Sequence, residues 1–306
     1  MRAYLARRVL VAIPSLLAVT VLIFVAMRVV PGDPAVLLAG DFATPETVAA
    51  LRARWGLDRP LVVQYAVFMA RLVRGDLGES IVSDLPVLDE ILQRFRVTLV
   101  LALAAIGVAV LVGLSAGVLG AVRPYSAWDY GSMVLALAGV STPIFWSGML
   151  LILLFAVRLS WLPAGGVASW QSFILPALSL GFFAAGIIAR QTRSAMLDVL
   201  RQDYIRTARA KGVPERGVIQ AHALRNALVP VVTIVGLEFG RLLGGAVLTE
   251  TVFSLPGLGS FLVVSIFKRD YPVIQGVVLW LALAFVLINM LVDIVYAALD
   301  PRIRYA

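Results

Sequence analysis

Residues 97–122 read VTLVLALAAIGVAVLVGLSAGVLGAV, an apolar run without one charged side chain. Crossing the hydrocarbon of a bilayer takes about 20 such residues as a helix, which pairs every backbone N–H and C=O internally. Five further predominantly apolar runs lie near 9–30, 131–157, 172–192, 229–250 and 273–299. Together they predict an all-α polytopic membrane protein with six transmembrane helices. The composition agrees: 61% of the 306 residues are hydrophobic, 14% are charged and the mean hydropathy is +0.95. A soluble domain carries about 45–50% apolar and 25% charged residues, so one packed core does not account for this excess.

The charged residues then give the runs a direction. Arg2, Arg7 and Arg8 precede the first run, which is too long for a signal peptide and is not closed by a small-x-small cleavage site. It reads as an uncleaved span with its amino end in the cytoplasm. Segment 190–229 holds eight Arg or Lys against Asp198, Asp203 and Glu215, whereas 158–171 has only Arg158 and 251–272 only Lys268 and Arg269. Basic residues collect on the cytoplasmic side, so both termini, including Arg302 and Arg304, are expected there. Segment 31–96, with seven Arg and nine acids, is expected as an extracytoplasmic insertion with helices near 46–55 and 60–74. The net charge of +8 is thereby assigned to topology and an anionic membrane surface, not to nucleic acid.

Several chemistries are excluded. No Cys is present, and His222 is the single His, so thiolate catalysis and multi-His metal centres have no donors. No G-x-x-x-x-G-K-[ST] phosphate loop or G-x-S-x-G elbow occurs, and no catalytic residues are assigned. Asp33 and Asp41 are two isolated carboxylates, too sparse for a metal site; Asp33, in the P-G-D-P of 31–34, is expected as a turn or cap residue.

The basic segment is the richest in local signals. It reads RQTRSAMLDVLRQDYIRTARAKGVPERGVIQAHALRNALVP over 190–230. Met196, Leu200, Tyr204 and Ala208 recur at helical spacing, which predicts one helix over 193–211. Gly212 is placed to stop it in the left-handed cap conformation, and Pro214, between Val213 and Glu215, to open a short second helix before the chain re-enters the membrane at Pro230. Such an elbow suits a partner's groove. Composition alone equally allows a basic loop that only fixes topology.

Inside the spans, Gly236, Gly240 and Gly244 form a smooth stripe for close helix approach, and Gly113 and Gly117 a shorter one. Glu238 and Arg241 lie three apart, and ionisable groups in a span are costly unless paired or facing water. They either line a polar path across the membrane or form a structural ion pair at an interface with another membrane subunit. Asn289 is a similar candidate, while Asp293 lies near enough the interface for a solvated or capping role.

The chain resembles binding-protein-dependent ABC permeases, specifically the first permease subunit (dipeptide permease B-like) of dipeptide, oligopeptide and nickel importers. The family's loop runs E-A-A, three residues, Gly, nine residues, I-x-L-P. Aligned on Gly212, those places hold Arg206, Thr207 and Ala208, then His222, Leu224 and Arg225; Ala208, Gly212 and Leu224 match. R-T-A-R-A-K-G followed by H-A-L-R-N-A-L-x-P is similar to the peptide/nickel branch. So are G-L-D-R-P at 56–60, G-D-L-G at 75–78, W-L-P-A-G-G at 161–166, I-L-P-A-L-S-L-G at 174–181, E-T-V-F-S-L-P-G-L-G at 250–259 and L-D-P-R-I-R-Y at 299–305.

The resemblance implies a single transmembrane permease domain of the type I ABC importer (MetI-like) fold over 1–306, with 193–228 as a cytoplasmic EAA-like coupling loop. It implies a bacterial or archaeal plasma (inner) membrane protein forming half of a pore with a paralogous second permease. Two ABC ATPase subunits would bind ATP and Mg, none of it in this chain, and an extracytoplasmic binding protein would deliver substrate. Di- or oligopeptides are the expected cargo, with nickel or glutathione as alternatives. A stand-alone secondary transporter or channel is the competing class, and it would show inverted repeats and broken, ion-binding helices.

Overall fold

The computed structural model describes residues 2–29, 32–39 and 44–299. Asp41 and the 300–306 end, with Arg302 and Arg304, lie outside them, as does the side chain of Asp293. Among the described residues the secondary structure is helical, apart from a lone bridge between Glu79 and Pro86.

The apolar runs form α1 (Arg2–Val29), α5 (Val87–Val122), α6 (Ala127–Ser141), α7 (Ile144–Leu151), α8 (Ile174–Leu200), α11 (Arg225–Gly245) and α14 (Tyr271–Leu299). Short helices fill the remainder: α2 (Pro34–Ala39), α3 (Pro45–Trp55), α4 (Leu61–Val73), α9 (Asp203–Ala210), α10 (Glu215–Gly217), α12 (Val247–Val252) and α13 (Leu258–Phe267). Five helices among the described residues are long and apolar enough to span a membrane, and a bent pair makes six.

That pair is α6 with α7, continued by a π-helical stretch Ile152–Arg158, and it is bent by 103°. The run 131–157 is therefore not one straight helix. The physical cause lies in Thr142–Pro143: a residue before proline is pushed into extended backbone, and Thr142 has ψ 127°. Pro143, lacking an N–H, then opens α7 at no cost in hydrogen bonding.

The chain divides into two compact units. The first comprises 98–255 and, within the described residues, 285–299. Helix α8 is its hub, with two-thirds of its most apolar window buried. Close packing there rests on missing side chains. A Cβ on Gly117 of α5 would stand 2.6 Å from the Ala189 carbonyl oxygen, and one on Gly113 2.9 Å from that of Ala185. Gly186 of α8 faces the Ala136 carbonyl of α6 in the same way. Lipid is as apolar as leucine, so helices here gain by backbone proximity and dispersion, not by removing apolar surface from water. Asp129 adds a polar tie: its carboxylate accepts Arg193 Nε at 2.6 Å and Nη2 at 2.7 Å, and the Tyr125 N–H at 2.9 Å.

The second unit comprises the described residues of 2–97 together with 256–284. Val87, Ile91, Leu258, Val273 and Val277 make one apolar cluster. Met27, Ile81, Tyr271 and Ile274 make another. Buried Asp270 holds the start of α14 to the loop before α5: it accepts Ser80 Oγ at 2.5 Å, the Ile81 N–H at 3.2 Å and the Val273 N–H at 3.4 Å. Asp33 caps α2 through the Ala35 N–H at 2.8 Å and pairs with Arg52, the cap role its P-G-D-P context suggests.

Candidate functional site

The segment 190–230 does not form one helix over 193–211. Helix α8 stops at Leu200, Gln202 is extended (φ −73°, ψ 150°), and α9 starts at Asp203, whose carboxylate suits a helix N-terminus. The break rotates the buried face. Ile205 and Ala208 are buried and Tyr204 is exposed, so the expected Met196–Leu200–Tyr204–Ala208 stripe is interrupted after Leu200. The hydroxyl of Tyr204 instead accepts Asn226 Nδ2 at 2.8 Å, tying α9 to the start of α11.

Gly212 terminates α9 with φ +78°. The Val213 N–H donates to the Ala208 carbonyl at 3.2 Å and the Gly212 N–H to that of Arg209 at 3.0 Å, the paired bonds of a Schellman cap. A Cβ at 212 would meet open space, so the requirement for glycine comes from backbone conformation alone. Pro214 follows with φ −61° and ψ 145° and opens α10. Here the structure differs from the expected short separate helix. α10 passes through a π-helical stretch, Val218–Leu224, directly into α11, making a 31-residue helix from Glu215 to Gly245. Pro230 lies inside it; its missing N–H leaves the Asn226 carbonyl without the usual intrahelical donor.

The elbow is braced across its own turn. Arg209 donates through Nε to Glu215 Oε2 at 3.1 Å and through Nη2 to Oε1 at 2.7 Å. This two-point bond holds the Glu215 carboxyl below its usual range and raises Arg209. Arg206 is exposed, with a 3.6 Å contact to Asp203, and Thr207 Oγ1 donates to the Asp203 carbonyl at 3.0 Å. His222 and Arg225 are exposed and Leu224 is half-buried, while Val218 and Ala223 face inward. Arg206, Arg209, Lys211, Arg216, His222 and Arg225 are all exposed and give the segment 206–225 a basic, solvated surface.

Arg209 is the residue that sequence reading missed. A pair six apart is not a helical neighbour, and it forms only because Gly212 closes the turn.

The intramembrane candidates separate in the structure. A Cβ on Gly240 would stand 2.8 Å from the Phe285 ring, and Gly236 abuts Val292 more closely still. The close partner of the stripe at both places is α14 of this chain, while Gly244 faces open space. Glu238 is 4% exposed and accepts Arg241 Nη1 at 2.9 Å, but the Arg241 side chain is 60% exposed. Arg241 is therefore the member of the pair turned outward. Asn289 spends its Nδ2 on the Phe285 carbonyl at 3.0 Å. Among the described residues no three His, Asp or Glu gather in a way that would hold a metal ion.

Residues 109–305 match the family described as the binding-protein-dependent transport system inner membrane component, and residues 1–102 match its N-terminal region. The glutathione transport system permease protein GsiC of Escherichia coli (strain K12) is 49% identical over 302 residues, covering 99% of each chain. The protein of that name from Salmonella typhi is 50% identical over the same span and coverage. Among solved structures, an inward-facing MetNI methionine ABC transporter aligns with a TM-score of 0.59 at 21% identity, over 69% of this chain and 96% of that one. At that identity the likeness is one of fold.

Proposed function

This chain belongs to the binding-protein-dependent transport system inner membrane components, and we propose that within that family it imports glutathione and other small peptides. It is an integral inner-membrane permease of an ABC importer with the MetI-type fold, and not an enzyme. Near-half identity along the whole of two glutathione permeases is the observation that carries the substrate reading.

The coupling reading rests on the elbow. Residues 206–225 dock in the cytoplasm onto one of two partner ATPases, which bind ATP and Mg; a paralogous permease completes the pore and an extracytoplasmic binding protein supplies cargo. Both termini lie in the cytoplasm, 31–96 outside, and 193–228 form the coupling loop. Closure of the ATPases on ATP displaces the elbow, whose turn is held by the Schellman cap, the Arg209–Glu215 brace and the Tyr204–Asn226 bond. The transport cycle shifts only as far as ATP's unequal affinity for the two states allows. Arg241, outward from a buried Glu238, faces the second permease or the path, and Gly244 offers the remaining smooth surface.

The test is uptake by proteoliposomes carrying the full importer with its binding protein. Labelled glutathione and a dipeptide should accumulate only with internal ATP. Accumulation of nickel without either peptide would overturn the substrate reading, and ATP-independent uptake would overturn the importer mechanism.

A further inference from the structure

The second unit contains a cleft of about 450 Å³, lined by polar and apolar side chains alike and within the range of small-ligand sites. Its walls come from the end of α1, the α3–α4 turn, α4, the loop at 76–84 and the first turn of α14. Arg28 is built into it. Its guanidinium lies over the Phe24 ring, 3.3 Å from the centroid, and donates to Gln64 Oε1 at 2.8 and 3.2 Å. Gln64 is itself fixed by its Nε2 on the Arg59 carbonyl at 2.8 Å. Arg28 is thus oriented by neutral groups, with no carboxylate opposite among the described residues.

The other charges in the cleft are as informative. Arg54 and Asp84 pair at 2.9 Å and cancel. Arg28, Arg59 and Arg71 remain without a carboxylate partner among the described residues, and Asp76 and Glu79 without a cationic one. Three cations and two anions left open within one cleft match a zwitterion carrying one excess negative charge. Gln275, 6% exposed, lines the same cleft, and its Nε2 is buried with no hydrogen-bond partner. Ser172, Thr192, Thr249 and Trp280 also carry a buried polar atom without a partner, but of these five Gln275 alone lines this cleft, where an acceptor from outside could satisfy it.

We infer that this cleft is a receiving site for a small anionic zwitterionic peptide, its carboxylates taken by Arg28, Arg71 and Gln275 and its ammonium by Asp76 or Glu79. The site rests on the peptide-import reading and adds to it a place where the permease itself holds cargo on entry.

Equilibrium binding of radiolabelled glutathione to the intact permease–ATPase complex in nanodiscs, with the binding protein left out, tests this directly. The complex should bind saturably, and Arg71→Gln and Gln275→Leu should each weaken binding about tenfold, the worth of one charge-assisted hydrogen bond. Neither variant removes a bond the fold uses, so both should assemble as the parent does. Glutathione amidated at its carboxylates should lose affinity for the parent complex but lose little further on Arg71→Gln. Absence of saturable binding, or parent-like affinity in both variants, would overturn the cleft. Peptide uptake by the full importer that persists in that case would leave the proposed function standing, whereas loss of uptake in the parent would remove that function itself.

Discussion

Helices α1 and α8 are both read from sequence as membrane spans, yet they are built to opposite rules. The most apolar window of α1 has a mean hydropathy of 2.7 and is 17% buried; that of α8 has 2.0 and is 67% buried. The greasier helix is the one left bare. In water the reverse would hold, since burial there follows apolarity. In a bilayer the lipid takes the large aliphatic side chains, and the protein interior is given to residues small enough to let backbones meet. Between these two helices hydropathy follows the bare surface, and glycine and alanine mark the packed one.

The largest test of that contrast is Gly117→Leu. Its side chain would enter the space held by Thr192 and the Ala189 carbonyl, and overpacking of this kind costs about 3 kcal/mol. Little monodisperse protein should be recovered in detergent, as size-exclusion chromatography would show; normal recovery would break the account of α8 as hub. Next comes Asp129→Asn, which leaves Arg193 half-buried against a neutral amide. The expected loss is about 3 kcal/mol, read as a lowered midpoint in thermal scanning, with Arg193→Leu in the same background restoring part of it.

How much of this was readable beforehand differs by element. The apolar runs mark the spans because length and apolarity are local properties, and Gly212 with Pro214 marks the elbow for the same reason. The bend at Thr142–Pro143 is legible too, through the restriction proline places on its neighbour, but the unbroken apolarity of 131–157 outweighs it in a hydropathy reading. The break at Gln202 was hidden: no glycine or proline announces it, and the apolar period carries on across it. The cleft was invisible because Arg28, Arg71 and Gln275 are brought together only by tertiary structure.

Gly212→Val should act on function before stability. A β-branched residue at φ +78° costs about 1–3 kcal/mol of backbone strain, spent on tilting the turn; uptake should vanish while membrane insertion, followed by fractionation, stays intact. Gly212→Asn, which tolerates the left-handed region, should recover much of the activity. Glu215→Gln removes an exposed brace and should lower the uptake rate modestly, with the difference shrinking in high salt. Smallest of all is Leu22→Ala on the bare face of α1, where a change under about 0.5 kcal/mol in thermal stability is expected. A large loss there would mean that α1 is covered by protein, and the contrast with α8 would need another cause.

The continuous helix from Glu215 to Gly245, with Pro230 inside it, has a mechanical consequence. Thirty-one residues at about 1.5 Å each give a rod some 45 Å long. A rotation of about 10° applied at its Glu215 end sweeps the other end through about 8 Å, nearly a helix diameter. An ordinary joint at residue 225 would have absorbed that angle. Because the π stretch joins α10 to α11 without a non-helical residue between them, a small rotation at Glu215 is lengthened along the helix, less whatever angle the π stretch and Pro230 absorb.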